Sequence, residues 1–232
     1  MNNPSTSAQG KVVVITGATG ALGSLTAKTF AAQGYALALL DNDQNKLNVL
    51  TRDLNLPSER LFTSVVDLRN RQAVQDSAEA VSAKFGTRSV HALIHLVGGW
   101  VGGNTLAETS ADDLESMLGQ HVWTTFHLFQ AFSPKLAVNN WGRVITISPS
   151  TVSNPPAKRG IYLATKAAQE NFVLTLAAEL KEHGVTANII QVRAIDVDNK
   201  GTGTTPAEIV AAMLYLFSDE AGKITGARIP LY

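Results

Sequence analysis

Seven short apolar runs, each separated from the next by a longer amphipathic stretch, leave this chain few ways to fold. The runs are Val12 to Thr16, Ala36 to Leu40, Leu61 to Val66, Ala92 to Val97, Val144 to Ser148, Thr186 to Val192 and a weaker Arg228 to Leu231. They are rich in β-branched residues and apolar almost throughout rather than alternating, the pattern of parallel strands covered by helices on both faces. Between them apolar residues return at three- or four-residue steps, as at Val74, Ala78, Val81 and Phe85, which keeps one helical face against a sheet. Gly34 and Gly86 stand where two of those helices should close. The pattern predicts an α/β fold, a doubly wound parallel sheet of about seven strands with helices on both faces. One domain is expected over residues 11–232, preceded by a flexible polar tail over 1–10.

Composition narrows function by exclusion. A chain of 232 residues can bury roughly 70–75% of its unfolded surface, so it needs no disulfide or structural metal to hold a core. It has no cysteine, which removes disulfide scaffolds, thiolate zinc sites and cysteine nucleophiles, and no metal site is expected. Basic and acidic side chains balance at 19 each, which argues against nucleic acid as a partner. No apolar run approaches the ~18–20 residues of a membrane span, and MNNPSTSAQG lacks the blocks of a signal peptide, so a soluble cytoplasmic protein is expected.

Thr16-Gly17-Ala18-Thr19-Gly20-Ala21-Leu22-Gly23 follows the first run directly and opens the first helix. Gly17 suits a tight turn, Gly20 lets backbone approach a pyrophosphate, and Gly23 lets the helix sit close on the strand, with its N-terminus facing the anion. Asp41 ends the second run, where a carboxylate can accept hydrogen bonds from both ribose hydroxyls of adenosine and repel a 2′-phosphate. NAD(H) is therefore expected over NADP(H). An ordinary turn or helix cap before Asn42 and Asp43 is the alternative for Asp41. Asp67, ending the third run, has two readings, a partner for the adenine amino group or a helix cap ahead of Arg69.

Tyr162 and Lys166 stand one helical turn apart and project from one face. A phenol is a poor acid near neutrality, and an ammonium beside it stabilises the phenolate and eases proton release. Tyr162 can then act as general acid toward a developing oxyanion while a reduced nicotinamide gives hydride.

Together the glycine loop, Asp41, Gly98, the Tyr162/Lys166 pair and Ile224-Thr225-Gly226 resemble the short-chain dehydrogenases/reductases, from Lys11 to Tyr232. The resemblance implies a Rossmann-type fold with Tyr162 as proton donor and Lys166 on the nicotinamide ribose. It carries coenzyme contacts to Gly17, Thr19, Gly20, Ala21, Leu22, Gly23, Asp41, Asp67, Leu68, Val97, Gly98, Gly99 and Ile195 as well as to the Tyr162/Lys166 pair. It also implies a homodimer or homotetramer, joined through the helices near Asp112 to Val138 and Tyr162 to His183.

The chain departs from the family pattern in several places. His95-Leu96-Val97-Gly98 replaces the usual Asn-Asn-Ala-Gly, and His121 stands where the family's helical asparagine lies. His95 reads as structural; His121 reads either so or as a member of a proton relay, since histidine titrates near neutrality. The serine position holds Pro149, flanked by Ser148 and Ser150, of which Ser150 is slightly preferred as the catalytic hydroxyl, unless both are plain turn residues. Val192-Arg193 replaces the Pro-Gly pair after the sixth strand, and the loop to Pro206 is too short to cover much substrate. The string Gly98-Gly99-Trp100-Val101-Gly102-Gly103-Asn104 and Gln120-x-x-Trp123 are similar to dihydropteridine reductases, NADH-dependent family members that also lack the serine. Trp100 is then an indole platform for a planar conjugated substrate, or else a packing aromatic, while Trp123 is expected in the core. The expected activity is reduction of a planar conjugated or carbonyl substrate; ordinary ketone or alcohol turnover, or coenzyme binding without catalysis, are the alternatives.

Overall fold

The computed structural model describes residues 10–86 and 90–232, so the expected tail lies, over residues 1–9, outside the described residues. Each apolar run becomes a strand: β1 (Val12–Thr16), β2 (Ala36–Asp41), β3 (Leu61–Val65), β4 (Val90–His95), β5 (Gly142–Pro149), β6 (Val185–Val192) and β7 (Arg228–Pro230). They pair in parallel in the order β3-β2-β1-β4-β5-β6-β7. The chain starts mid-sheet, works outward to β3, then crosses back to lay β4 on the other side of β1. At such a switch point the connections leave in opposite directions and open a crevice beyond the carboxyl ends of the strands.

The helices are α1 (Ala21–Ala32), α2 (Gln44–Leu54), α3 (Arg71–Phe85), α4 (Ala111–Met117), α5 (Thr124–Ala137), α6 (Gly160–Glu179) and α7 (Pro206–Phe217). Strand alternation sorts the buried residues into two cores. Val12 and Val14 join Val81, Phe132 and Val173 of α3, α5 and α6, whereas Val13 and Ile15 join Phe30, Leu47 and Met213 of α1, α2 and α7. Phe30 meets Phe217 edge-on at 4.6 Å, fixing α1 against α7. β6 is buried throughout despite its polar residues, and Asn188 bonds the Ile224 carbonyl at 2.7 Å and the Ala227 N–H at 3.1 Å. Among the described residues no helix is long and apolar enough to cross a membrane.

Two local differences from the sequence expectation shape the site. β4 ends at His95, so Leu96 and Val97, expected within the strand, leave the sheet toward the crevice. The stretch near Asp112 to Val138 is continuous but passes through a π-helical turn at Leu118–Trp123 between α4 and α5. Widening the turn takes carbonyls out of the regular ladder, and here threonine hydroxyls bond two of them: Thr124 donates to Gln120 O at 2.7 Å and Thr125 to His121 O at 2.6 Å.

Candidate active site

The glycine loop leaves β1 at the crevice. Gly17 has φ +67°, and a Cβ on Gly23 would lie 2.1 Å from the Gly17 carbonyl oxygen, so the first turn of α1 can fold back on the loop only without side chains there. At Gly20 a Cβ would meet only that oxygen, at 3.5 Å. The loop forms one wall of a groove of about 490 Å³ that also takes in Asp41, Asp67 and Leu68. Gly17, Thr19, Gly20, Val97 and Gly98 line it, whereas Ala21, Leu22 and Gly23 do not; the Leu22 side chain is buried in the core beneath.

Asp41 accepts the Thr19 N–H at 2.9 Å on one oxygen and those of Asn42 at 2.8 Å and Asp43 at 3.3 Å on the other. It therefore ties β2 to the glycine loop while lining the groove; the cap of α2 is Asp43, not Asp41. Asp67 lines the same groove and is paired with its neighbour. Its carboxylate is gripped by Arg69, 2.8 Å from Nη2 and 3.0 Å from Nε, and that pairing holds it below the usual carboxylate range. The cap of α3 is Asn70. Arg69 lines the groove beside Asp67, whose helix-cap reading gives way to an ion pair at the groove wall.

A second cavity, of about 360 Å³, adjoins the groove along Leu96, Val97 and Gly98. Tyr162 and Lys166 line it together with Gly99, Trp100, Ser148 and Ile195. Lys166 is buried and donates to Ile147 O at 2.7 Å and Gln169 Oε1 at 2.5 Å. Burial pushes its pKa down to about 8, against the pull of Glu170. Behind it Gln169 Nε2 donates to Thr125 Oγ1 at 2.8 Å, His95 Nε2 meets the same oxygen at 3.1 Å, and His95 Nδ1 meets Thr16 Oγ1 at 2.7 Å. Because the Thr125 hydroxyl proton is given to His121 O, its oxygen can only accept from Gln169 and His95. Every bond direction from Lys166 back to Thr16 is thereby set, with both ring nitrogens of His95 engaged.

Within the chain, the Lys166 ammonium is held by groups other than the phenol. Its hydrogen bonds go to Ile147 and Gln169, and burial pushes the Tyr162 phenol up, with Arg159 pulling it back. One N–H of Lys166 is left for a ligand.

His121 is also not the near-neutral group a relay requires. Its Nε2 accepts the Gly99 N–H at 3.3 Å, so Nδ1 carries the proton and donates to Thr165 Oγ1 at 2.9 Å; Thr165 in turn donates to Tyr162 O at 2.9 Å. Burial, reinforced by the Lys166 charge, pushes His121 down to about 3, and both nitrogens are engaged. The ring stands edge-on 5.5 Å from that of Tyr162 and forms a wall. A Cβ on Gly99 would lie 2.0 Å from Gln120 Oε1, so a larger residue there would push the end of the Gln120 side chain aside.

The two serines are placed differently. Ser148 lines the cavity and its buried hydroxyl has no hydrogen-bond partner among the described residues; Ser150 does not line it and lies past the end of β5, its N–H bonded to Val192 O at 2.8 Å. Trp100 lies at the cavity with 57% of its surface exposed, its ring against Gly102. Trp123, expected in the core, is 50% exposed and stacks on His127, because the π turn carries it outward. The loop after β6 closes on itself through Asp196 N to Thr204 O and Thr204 N to Ala194 O, both 2.9 Å.

Sequence reasoning passed over Gln120, Arg69, Gln169 and Arg193 as site residues. Gln169 was readable in principle, one turn beyond Lys166 on the same helix face, and Arg69 from its place beside Asp67 and Leu68; Gln120 reaches the groove only through long-range packing. The residues present fit a dinucleotide: a glycine loop with clearance for backbone approach, a carboxylate at the end of β2, and a groove opening onto a cavity that holds a phenol and an ammonium.

Comparison with known proteins agrees with this geometry. The sequence profile of the short chain dehydrogenases matches residues 11–206. The chain is 27% identical over 181 residues to an NADP-dependent 3-hydroxy acid dehydrogenase of Shigella flexneri, covering 78% of this chain and 70% of that protein. It is 28% identical over 205 residues to a 7alpha-hydroxysteroid dehydrogenase of Escherichia coli, covering 88% and 78%. Among solved structures, an NAD+-bound xylitol dehydrogenase superposes with a TM-score of 0.85 at 22% identity, covering 97% of this chain and 98% of that one. A 3-ketoacyl-(acyl-carrier-protein) reductase of Brucella melitensis, complexed with NADH, superposes with a TM-score of 0.87 at 20% identity, covering 96% and 97%.

Proposed function

The chain belongs to the short-chain dehydrogenase family, and from that premise we propose that it is an NAD(H)-dependent reductase of small planar conjugated or carbonyl substrates, with Tyr162 as proton donor. The observation that carries the reading is the junction of the two cavities: the groove between the glycine loop and Asp41 opens along Leu96 to Gly98 onto the space lined by Tyr162, Lys166 and Trp100. A bound reduced nicotinamide supplies the hydride. Asp41 takes the adenosine ribose hydroxyls and disfavours a 2′-phosphate, although the Shigella relative is named for NADP. Lys166 holds the nicotinamide ribose with its remaining N–H. Tyr162 gives its proton to the oxyanion as it forms, and the Ser148 hydroxyl polarises the acceptor. Trp100 offers a flat ring an indole face.

The relatives' names favour a second reading, oxidation or reduction of hydroxy acids or steroid alcohols. Assembly through α4, α5 and α6 as a homodimer or homotetramer is part of the proposal, supported by the exposed Leu114, Trp123 and Phe126. The test is turnover of quinonoid dihydropterin, simple ketones and oxo acids with NADH and NADPH, for the native chain and Tyr162→Phe. The proposal expects faster rates with NADH, reduction of conjugated acceptors, and at least a hundredfold loss in Tyr162→Phe with NADH binding kept. NADPH preference, or undiminished rates in Tyr162→Phe, contradicts it.

A further inference from the structure

The substrate cavity has an unusual charge inventory. Among the described residues no aspartate or glutamate lines it, and its only charged side chains are Lys166, which is buried and bonded on two sides, and Arg193. Both histidines that line it are neutral, as their burial requires. Arg193 is exposed, and among the described residues its side chain makes no hydrogen bond or ion pair. The carboxylate closest to it in the chain, Asp196, accepts the backbone N–H groups of Lys200 at 2.9 Å and Thr202 at 3.1 Å instead.

Position gives this guanidinium its meaning. Arg193 directly follows β6, whose carboxyl end faces the crevice, and it lines both the Tyr162 cavity and an adjoining recess of about 190 Å³ bounded by Thr202, Thr204 and Tyr232. It also occupies the second position of Val192-Arg193, where the resemblance leads one to expect a glycine. The substitution therefore puts a fork of five donors at the cavity wall, a geometry that matches a carboxylate in two parallel bonds. Arg159, ahead of α6, adds positive charge near Tyr162. In a chain with no net charge this is a locally positive pocket, and a pocket of one sign draws in the opposite one.

We propose that Arg193 is a specificity-determining residue that grips an anionic group, a carboxylate, carried by the substrate beside its reducible centre. The inference rests on the reductase reading for what happens next, but not for binding. The donor fork has a second conceivable anion, a phosphate of the coenzyme, and the experiment separates the two.

Binding of benzoate and of benzamide to the NADH complex is measured by quenching of NADH fluorescence, in the native chain, Arg193→Gln and Arg193→Lys. Expected are at least about a tenfold preference for benzoate, its disappearance in Arg193→Gln, partial return in Arg193→Lys, and NADH affinity unchanged within about twofold. In parallel, benzoylformate should be reduced with a higher kcat/KM than its methyl ester, and Arg193→Gln should erase that ratio through KM rather than kcat. The proposal is overturned if the native complex does not distinguish benzoate from benzamide, if the preference survives in Arg193→Gln, or if Arg193→Gln weakens NADH itself while leaving the preference intact. A benzoate preference without turnover of any acceptor would defeat the reductase reading and leave Arg193 as the anion site. Reduction of neutral ketones with no benzoate preference would do the reverse.

Discussion

At the scale of single residues, Lys166 shows how much of the chemistry is set by what stands behind it. Its partner Gln169 is a neutral amide rather than a carboxylate, which leaves burial free to bring the ammonium down to about 8. Since Lys166 acts as a cation, NADH-dependent activity is predicted to fall as pH rises through about 8. Gln169→Glu puts a negative charge beside it and should move this alkaline limb upward, whereas Gln169→Ala should cut kcat/KM about tenfold or more by removing a charge-assisted bond. A pH profile identical in all three proteins would contradict the positioning role. The Tyr162 and Lys166 spacing was legible in the sequence because both lie on one helix. The line Gln169, Thr125, His95, Thr16 was not, because it joins α6, α5, β4 and β1, and no local pattern links them. The placing of Ser148 rather than Ser150 at the cavity was hidden for the same reason: only the finished strand shows which hydroxyl is buried there.

At the scale of elements, the β1–loop–α1 unit is read almost entirely from its glycines. Gly23→Ala places a methyl 2.1 Å from a backbone oxygen, so loop and helix must move apart. The expected result is weaker NADH binding by at least tenfold and a lower thermal midpoint, measured on the same preparation; an unchanged affinity would mean that the loop does not form the dinucleotide wall. Strand positions were legible because a buried parallel strand is apolar on both faces. The errors fall where tertiary structure overrides pattern. β4 stops two residues before its apolar run ends, and the π turn inside an otherwise helical stretch points Trp123 outward and His121 inward.

At the scale of the whole molecule, two buried neutral histidines tie folding to pH. Burial depresses both His95 and His121 from 6.5 to about 3. Between these values the unfolded chain binds more protons than the folded one, so the stability they contribute is fully present above pH 6.5 and is lost as pH falls toward 3. Urea unfolding between pH 6.5 and 4.5 is predicted to show stability falling by up to about 1.4 kcal/mol per pH unit for each histidine. Replacing either histidine with Asn should flatten that slope while lowering stability at neutral pH; a slope unaffected by both replacements would show that neither is held neutral. The doubly wound sheet was legible as a whole because its seven runs and their spacing admit few other arrangements. What the sequence could not reveal was the way the coenzyme groove and the phenol cavity meet, since Leu96 to Gly98 have to leave the sheet for the two to join. That junction is the central claim, and a crystal structure of the NADH complex tests it most directly. Such a complex is expected to place the adenosine ribose on Asp41, the nicotinamide ring against the Tyr162 hydroxyl, and Lys166 on the neighbouring ribose. A nicotinamide ring bound outside the space between Trp100 and Tyr162 would contradict it.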